Sequence, residues 1–208
     1  GRNPQEIRIL AATKSQNVEL IRAAIAAGVR LIGENYVQEA ESKSQVISEA
    51  VEWHMIGHLQ RNKVKAALET FDLIQSLDSV ALAIELHKAG RKSGRTLRTF
   101  IEVNLGAEPS KSGIARDKVA ELVRRVSELS HLRVEGLMVV PPFKENPEET
   151  RPYFRALKKL QMELQGWKIA NASFNELSMG MTHDYPIAVE EGATIVRIGT
   201  ALFGARKT

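Results

Sequence analysis

Short apolar runs alternate with amphipathic segments along the whole chain, eight times over, and no other feature restricts the possible folds as much. The runs at 7–13, 29–33, 52–56, 73–76, 99–104, 134–140, 176–178 and 195–198 read as buried strands, bounded by polar residues. Between them lie helical patterns at 18–27, 36–48, 61–71, 79–91, 118–129, 147–164 and 185–191, with apolar residues at three- and four-residue steps. Largely apolar strands, each followed by a helix, imply a parallel sheet covered by helices. Eight is the number of repeats that closes a TIM-type (β/α)8 barrel, and 208 residues lies near the length of about 250 usual for that α/β fold. The alternative is an open doubly wound sheet, but no G-x-G-x-x-G follows the first strand. No Pro/Gly/Ser-rich linker divides the chain, so 1–208 is expected to form a single barrel domain.

Composition removes several classes of function. Cysteine is absent, which excludes disulfides, zinc–thiolate sites and thiol nucleophiles and fits a reducing compartment. Net charge is only +4, aromatic content is 5%, and the basic residues are mixed with acids, so no nucleic-acid footprint is expected. No apolar stretch reaches spanning length, and "GRNPQEIR" lacks a signal-peptide core, so no membrane association and a cytoplasmic location are expected. His54, His58 and "SMGMTHD" show no further ligands at metal spacing, and no metal is expected. Ser178 lacks the G-x-S-x-G context of a nucleophile.

Chemistry in such barrels gathers where strands end and the following loops begin. Reading off those positions gives Lys14, "GENYVQE", "HMIGHLQRNK", "EVNLGAEPSKSG", "GLMVVPP", "LSMGM" and "RIGTALFG". Lys14 sits at the end of the first strand, where an ammonium is costly unless paired, solvated or chemically used. A lysine that merely snorkels outward is the ordinary alternative. Phosphate is commonly held by the loops after strands seven and eight. There, Gly199 lets an anion approach the backbone, Thr200 is a candidate hydroxyl cap for a last helix, and Ser178 and Gly180 stand one strand earlier. Ordinary helix entries use the same residue types, so position alone leaves both readings open. Arg197 lies two residues before Gly199 and shares its face of the strand. Inside a barrel it needs an anion or a strong acceptor, and an ion pair with Glu34 or Glu102 is the structural alternative.

Taken together, "AATKSQ", "IGENYVQEA", "WHMIGHLQRNK", "IEVNLGAEPSKSG", "GLMVVPP", "LSMGMTHD" and "VRIGTALFGAR" closely resemble the pyridoxal phosphate homeostasis protein family, over nearly the whole chain and in the same order. The resemblance implies the barrel of the alanine racemase N-terminal domain. It also implies that Lys14 forms a covalent aldimine (a Schiff base) with pyridoxal 5′-phosphate (PLP). By the same resemblance Arg197 faces the pyridine nitrogen, Ser178, Gly199 and Thr200 hold the phosphate, Asn35 lines the pocket and Met138 borders the ring. Lys111 in "SKSG" matches a further lysine of the family. There are departures. Members begin with a helix before the first strand, whereas the strand pattern here starts at Ile7. Many also carry a second lysine two residues after the aldimine lysine, where this chain has Gln16.

The resemblance implies a monomeric protein of vitamin B6 homeostasis that buffers or supplies PLP, with apo PLP-dependent enzymes as acceptors and without robust turnover. An arginine only donates hydrogen bonds, so it would leave the pyridine nitrogen unprotonated and weaken the ring as an electron sink. Alanine racemases add a catalytic tyrosine from a second domain of the partner, and no such domain is expected within 1–208. Tyr36, Tyr153 and Tyr185 all fall on predicted helices or their starts. A PLP-dependent amino-acid racemase is the enzymatic alternative, and a PLP-free Schiff-base aldolase acting on sugar phosphates is a second.

Overall fold

The structure, a computed structural model, describes residues 1–106 and 112–204. Lys111 therefore lies outside the described residues. After a single 3-10 turn at Pro4–Glu6, the strands are β1 Arg8–Ala12, β2 Leu31–Glu34, β3 Glu52–Met55, β4 Leu73–Leu77, β5 Leu97–Asn104, β6 Ile114–Ala115, β7 Leu132–Met138, β8 Ala172–Met181 and β9 Ile195–Ile198. The helices between them are α1 Val18–Ala26, α2 Val37–Ser44, α3 Val64–Thr70, α4 Val80–Ser93, α5 Val119–Ser127, α6 Arg151–Gln165, α7 Tyr185–Glu190 and α8 Thr200–Phe203.

Every strand pairing is parallel, in the order β4-β3-β2-β1-β9-β8-β7-β5, and a further pairing of β4 with β5 closes the ring. The two-residue β6 pairs with β5 and is the ninth strand beside the eight of the barrel. Closure follows from the side-chain pattern. Leu10, Leu31, Leu73, Phe100 and Ile195, from five different strands, form one buried cluster inside the barrel. A larger apolar cluster, including Ile32, Leu86, Leu122 and Phe154, fills the layer between strands and helices. Strands buried on both faces are apolar at most positions, which is why they read as runs rather than alternations.

Charges at the strand starts are paired. Arg98 contacts Glu52 at 2.5 Å and Glu135 at 2.8 Å, and Arg8 contacts Glu176 at 2.9 Å. Hydrogen bonding to His54 above all, with help from Arg98, holds the Glu52 carboxyl down at about 2. This end of the barrel is closed by ion pairs, and the candidate residues gather at the other.

Two expectations need correction. The seventh barrel strand is Ala172–Met181, not 176–178, because it is irregular. Phe174 and Gly180 have positive φ (51° and 89°), and the register with β7 shifts between Val134 and Gly136. Such a strand shows no run long enough to read. The patterns at 61–71, 118–129 and 147–164 also begin as 3-10 turns, at Arg61–Lys63, Arg116–Lys118 and Pro147–Thr150.

Candidate functional site at the barrel mouth

Five consecutive strands of the ring, β7, β8, β9, β1 and β2, carry all seven candidate residues at or just beyond their carboxyl ends. Met138 ends β7 and lies in register with Ser178 on β8. Arg197 is on β9, with Gly199 and Thr200 directly after it. Lys14 follows β1 by two residues and Asn35 follows β2 by one. Leu10 and Ala11 pair with Arg197 and Ile198, which brings the Lys14 turn beside Gly199.

Arg197 is buried, with 4% of its surface exposed. Its Nη1 donates to Ser178 O at 2.7 Å and to Ser178 Oγ at 2.8 Å, and its Nη2 donates to Val139 O at 2.7 Å. Three of its five N–H groups are thereby engaged, leaving two for a ligand. The expected alternative of an ion pair with Glu34 or Glu102 does not occur among the described residues. Glu34 pairs with Lys43, and Glu102 acts on Arg197 only through space. Burial draws the guanidinium down to about 10, against the opposing pull of Glu102 and Asp184, so it remains charged at neutral pH.

Ser178 is fully buried. Because its oxygen accepts from Arg197, its own hydrogen is left to donate. A Cβ built on Gly199 would meet only Ala12, at 3.8 Å, so open space lies over that backbone. Thr200 does not cap the last helix. Gly199 is the N-cap, and Thr200 is the first helical residue, exposed and without a capping hydrogen bond. The next amide, Ala201 N–H, donates to Thr182 Oγ1 at 3.2 Å. Glu102 closes the far side of the mouth at the end of β5, in register with Met138. Burial, helped by Asp78 and opposed by Arg197, pushes its carboxyl up to about 7.

Lys14 is half-buried in the turn after β1, and among the described residues no carboxylate pairs with it. Its Nζ lies 3.5 Å from the Tyr36 hydroxyl and 5.0 Å from the centre of the Tyr36 ring. Tyr36 thus stands at the rim as the residue capping α2, two positions beyond β2, near the mouth as expected although at a helix start. Its place in "GENYVQE" was the available signal. Lys43, buried on α2 behind the Lys14 turn, was missed by sequence reasoning. Gly57 lets the chain pass close to Asn35: a Cβ there would lie 2.4 Å from Asn35 O. Asn35 and Tyr36 line a cleft of about 400 Å3 that continues past His58 and Lys63.

The two histidines of "HMIGHLQRNK" do not meet. His54 is inside, bonded to Gln75 at 2.7 Å, and His58 is outside, 3.0 Å from Asp78. No group of three or more His, Cys, Asp or Glu among the described residues could hold a metal ion. The mouth instead offers an amine beside an aromatic ring, a guanidinium with donors to spare, a serine hydroxyl and open space over a glycine. These features fit PLP, which carries an aldehyde, an aromatic nitrogen and a phosphate.

Comparison with known proteins points the same way. The pattern of the family described as alanine racemase, N-terminal domain, matches residues 4–207. The pyridoxal phosphate homeostasis protein of Aquifex aeolicus is 45% identical over 208 residues, covering 100% of this chain and 90% of that protein. The protein of the same name from Escherichia coli is 39% identical over 211 residues, covering 99% and 88%. PipY of Synechococcus elongatus, solved with PLP bound, superposes with a TM-score of 0.90 at 37% identity, covering 98% of this chain and 95% of that one. An alanine racemase of Clostridium difficile shares the fold at a TM-score of 0.75 and 14% identity, over 98% of this chain and 53% of that one.

Proposed function

The chain belongs to the alanine racemase N-terminal domain family and, within it, to the pyridoxal phosphate homeostasis proteins, and from that premise we propose that it binds PLP at the barrel mouth and acts as a PLP reserve inside the cell. The whole stretch 1–208 serves as one cofactor-binding unit. Lys14 is the residue that tethers the cofactor covalently, Arg197 faces the ring nitrogen, and Ser178, Gly199 and Thr200 hold the phosphate. Asn35 and Met138 border the ring. When bound, PLP supplies an aldehyde that an amine captures reversibly and a ring that withdraws electrons strongly only when its nitrogen is protonated.

The observation that carries the reserve function is Arg197. It is buried, charged and oriented by the Val139 and Ser178 carbonyls, with no carboxylate bonded to it among the described residues. A group that can only donate leaves the nitrogen it faces as an acceptor. The site is therefore suited to holding PLP and giving it up to apo PLP-dependent enzymes rather than to rapid amino-acid chemistry. One observation favours a racemase-like second reading: Tyr36 places a hydroxyl 3.5 Å from Lys14 Nζ, where an acid–base partner could act.

The test combines binding with turnover. PLP should bind far more tightly than pyridoxal, because each charge-assisted hydrogen bond lost with the phosphate is worth about 1.5–3 kcal/mol. Prolonged incubation of the PLP-loaded protein with L- and D-alanine, followed by chiral analysis, should show only residual conversion. Equal affinity for the two compounds would remove the phosphate site. Conversion on the order of one per second, lost in Tyr36→Phe, would establish the racemase instead.

A further inference from the structure

Behind the turn that carries Lys14 lies a buried ion cluster with no part in the contacts assigned above to the cofactor. The Lys43 side chain is 9% exposed, and Nζ donates to Thr13 O at 2.6 Å, Glu34 Oε1 at 2.6 Å and Glu39 Oε1 at 2.7 Å. Glu34 is fully buried, and its Oε1 also accepts the Thr13 hydroxyl at 2.6 Å. Glu39 Oε1 accepts the Ser15 amide at 2.5 Å. The neighbours of Lys14 on both sides are thus fastened to α2 and β2, whereas the Lys14 side chain reaches away to Tyr36.

Two features say that this fastening is needed for more than packing. Ser15 has a φ of 61°, in the left-handed region that residues other than glycine occupy only when surroundings enforce it. A largely buried cluster of three charges is also a poor way to gain stability, since apolar residues of similar volume commonly serve as well or better. Burial pushes the Glu34 carboxyl up while Lys43 and Thr13 pull it back, and Glu34 Oε2 is left buried without a partner among the described residues.

We propose that Lys43, acting through Glu34 and Glu39, is a positioning residue that locks the Thr13–Ser15 turn and so aims Lys14 Nζ into the mouth. The proposal rests on Lys14 being the residue that captures PLP. In that capture Nζ, as the neutral amine, adds to an aldehyde carbon, and the aldehyde oxygen leaves as water while the C=N bond forms.

The test compares the unchanged protein with Lys43→Met, Glu39→Ala and Glu39→Gln in three measurements. Amide hydrogen exchange at Ser15 is followed by NMR without cofactor. The rate of capture is followed by the visible absorbance that appears on adding PLP. Affinity is measured for 4′-deoxypyridoxine 5′-phosphate, which keeps the ring and phosphate but has no aldehyde. Lys43→Met and Glu39→Ala should exchange the Ser15 amide faster and capture PLP at least about ten-fold more slowly, as misplacement of a reacting group by about an ångström implies. Their affinity for the analogue should stay within about three-fold, well under the ten-fold that 1.4 kcal/mol represents. Glu39→Gln keeps an acceptor for Ser15 and should recover most of the rate. Glu39 is partly exposed, so that pair decides the matter if Lys43→Met fails to fold. Unchanged capture rates, a parallel fall in analogue affinity, or unchanged Ser15 exchange would each overturn the proposal. If even the unchanged protein captures no PLP, the cofactor assignment fails, while exchange at Ser15 still reports whether the cluster holds the turn.

Discussion

Glu102 and Arg197 share the barrel mouth, and burial acts on them in opposite directions, pushing the acid up to about 7 and drawing the guanidinium down to about 10. For Glu102 the sign of the consequence is fixed. A carboxyl whose folded value exceeds its ordinary 4.5 takes up its proton more tightly when folded, so its contribution is full below about pH 4.5 and is lost as pH rises through 7. The loss is on the order of 3 kcal/mol. In the cofactor-free protein, Glu102→Gln is therefore expected to raise stability above pH 7 and to change little at pH 4.5, as read from urea unfolding at the two values. A gain of equal size at both would mean that Glu102 does not titrate in this window. At this scale the sequence was partly legible. That Arg197 and Gly199 share a face followed from their two-residue spacing, but the partners of Arg197 did not, because Val139 O, just after β7, and Ser178 O, on β8, are backbone atoms distant in sequence. Tyr36 was placed at a helix start because "YVQEAESK" has helical spacing, and its closeness to the rim was legible from "GENYVQE", but its contact with Lys14 was not.

Among the elements, the carboxyl end of β8 and the loop after β9 each contain a glycine, and the structure separates their roles. Gly180 has a φ of 89°, and a Cβ there would lie 2.5 Å from the Ala188 Cβ of α7. It is required by the fold. Gly180→Ala should cost about 2 kcal/mol or more through backbone strain and contact with α7. Gly199 has a negative φ and open space above it. Gly199→Ala should stay within about 1 kcal/mol of the unchanged protein yet weaken PLP binding at least about ten-fold, because the methyl group enters the space assigned to phosphate and 1.4 kcal/mol already represents that factor. Urea unfolding without cofactor and PLP titration separate the two effects, and a Gly199→Ala protein that binds PLP normally would place the phosphate elsewhere. Most strands and helices were legible because each is buried on a face that its apolar spacing declares. β8 was not, since Phe174 and Gly180 break its regularity. The capping role given to Thr200 failed by one residue, a boundary that local composition does not fix.

For the molecule as a whole, the eight-fold repeat anticipated the barrel once the lack of a G-x-G-x-x-G after the first strand had set the open sheet aside. Which end carries the candidate site follows from chemistry rather than repeat number: ion pairs fill the strand starts, while Lys14, Ser178, Arg197 and Gly199 converge at the strand ends. Their convergence on five consecutive strands could not be read from any one motif, since β1 and β9 are neighbours only after the ring has closed. The family resemblance named the cofactor, and the geometry explains why these positions suit it. The claim at the centre of this assignment is that Lys14 is the covalent anchor. The most direct test is to load the protein with PLP, reduce it with borohydride, digest it and locate the added mass by mass spectrometry. The adduct should lie on Lys14 alone, and Lys14→Ala should lose it while still binding some cofactor through phosphate contacts. A reduced adduct found on Lys63 or Lys111 in the unchanged protein, or no adduct at all, would contradict it.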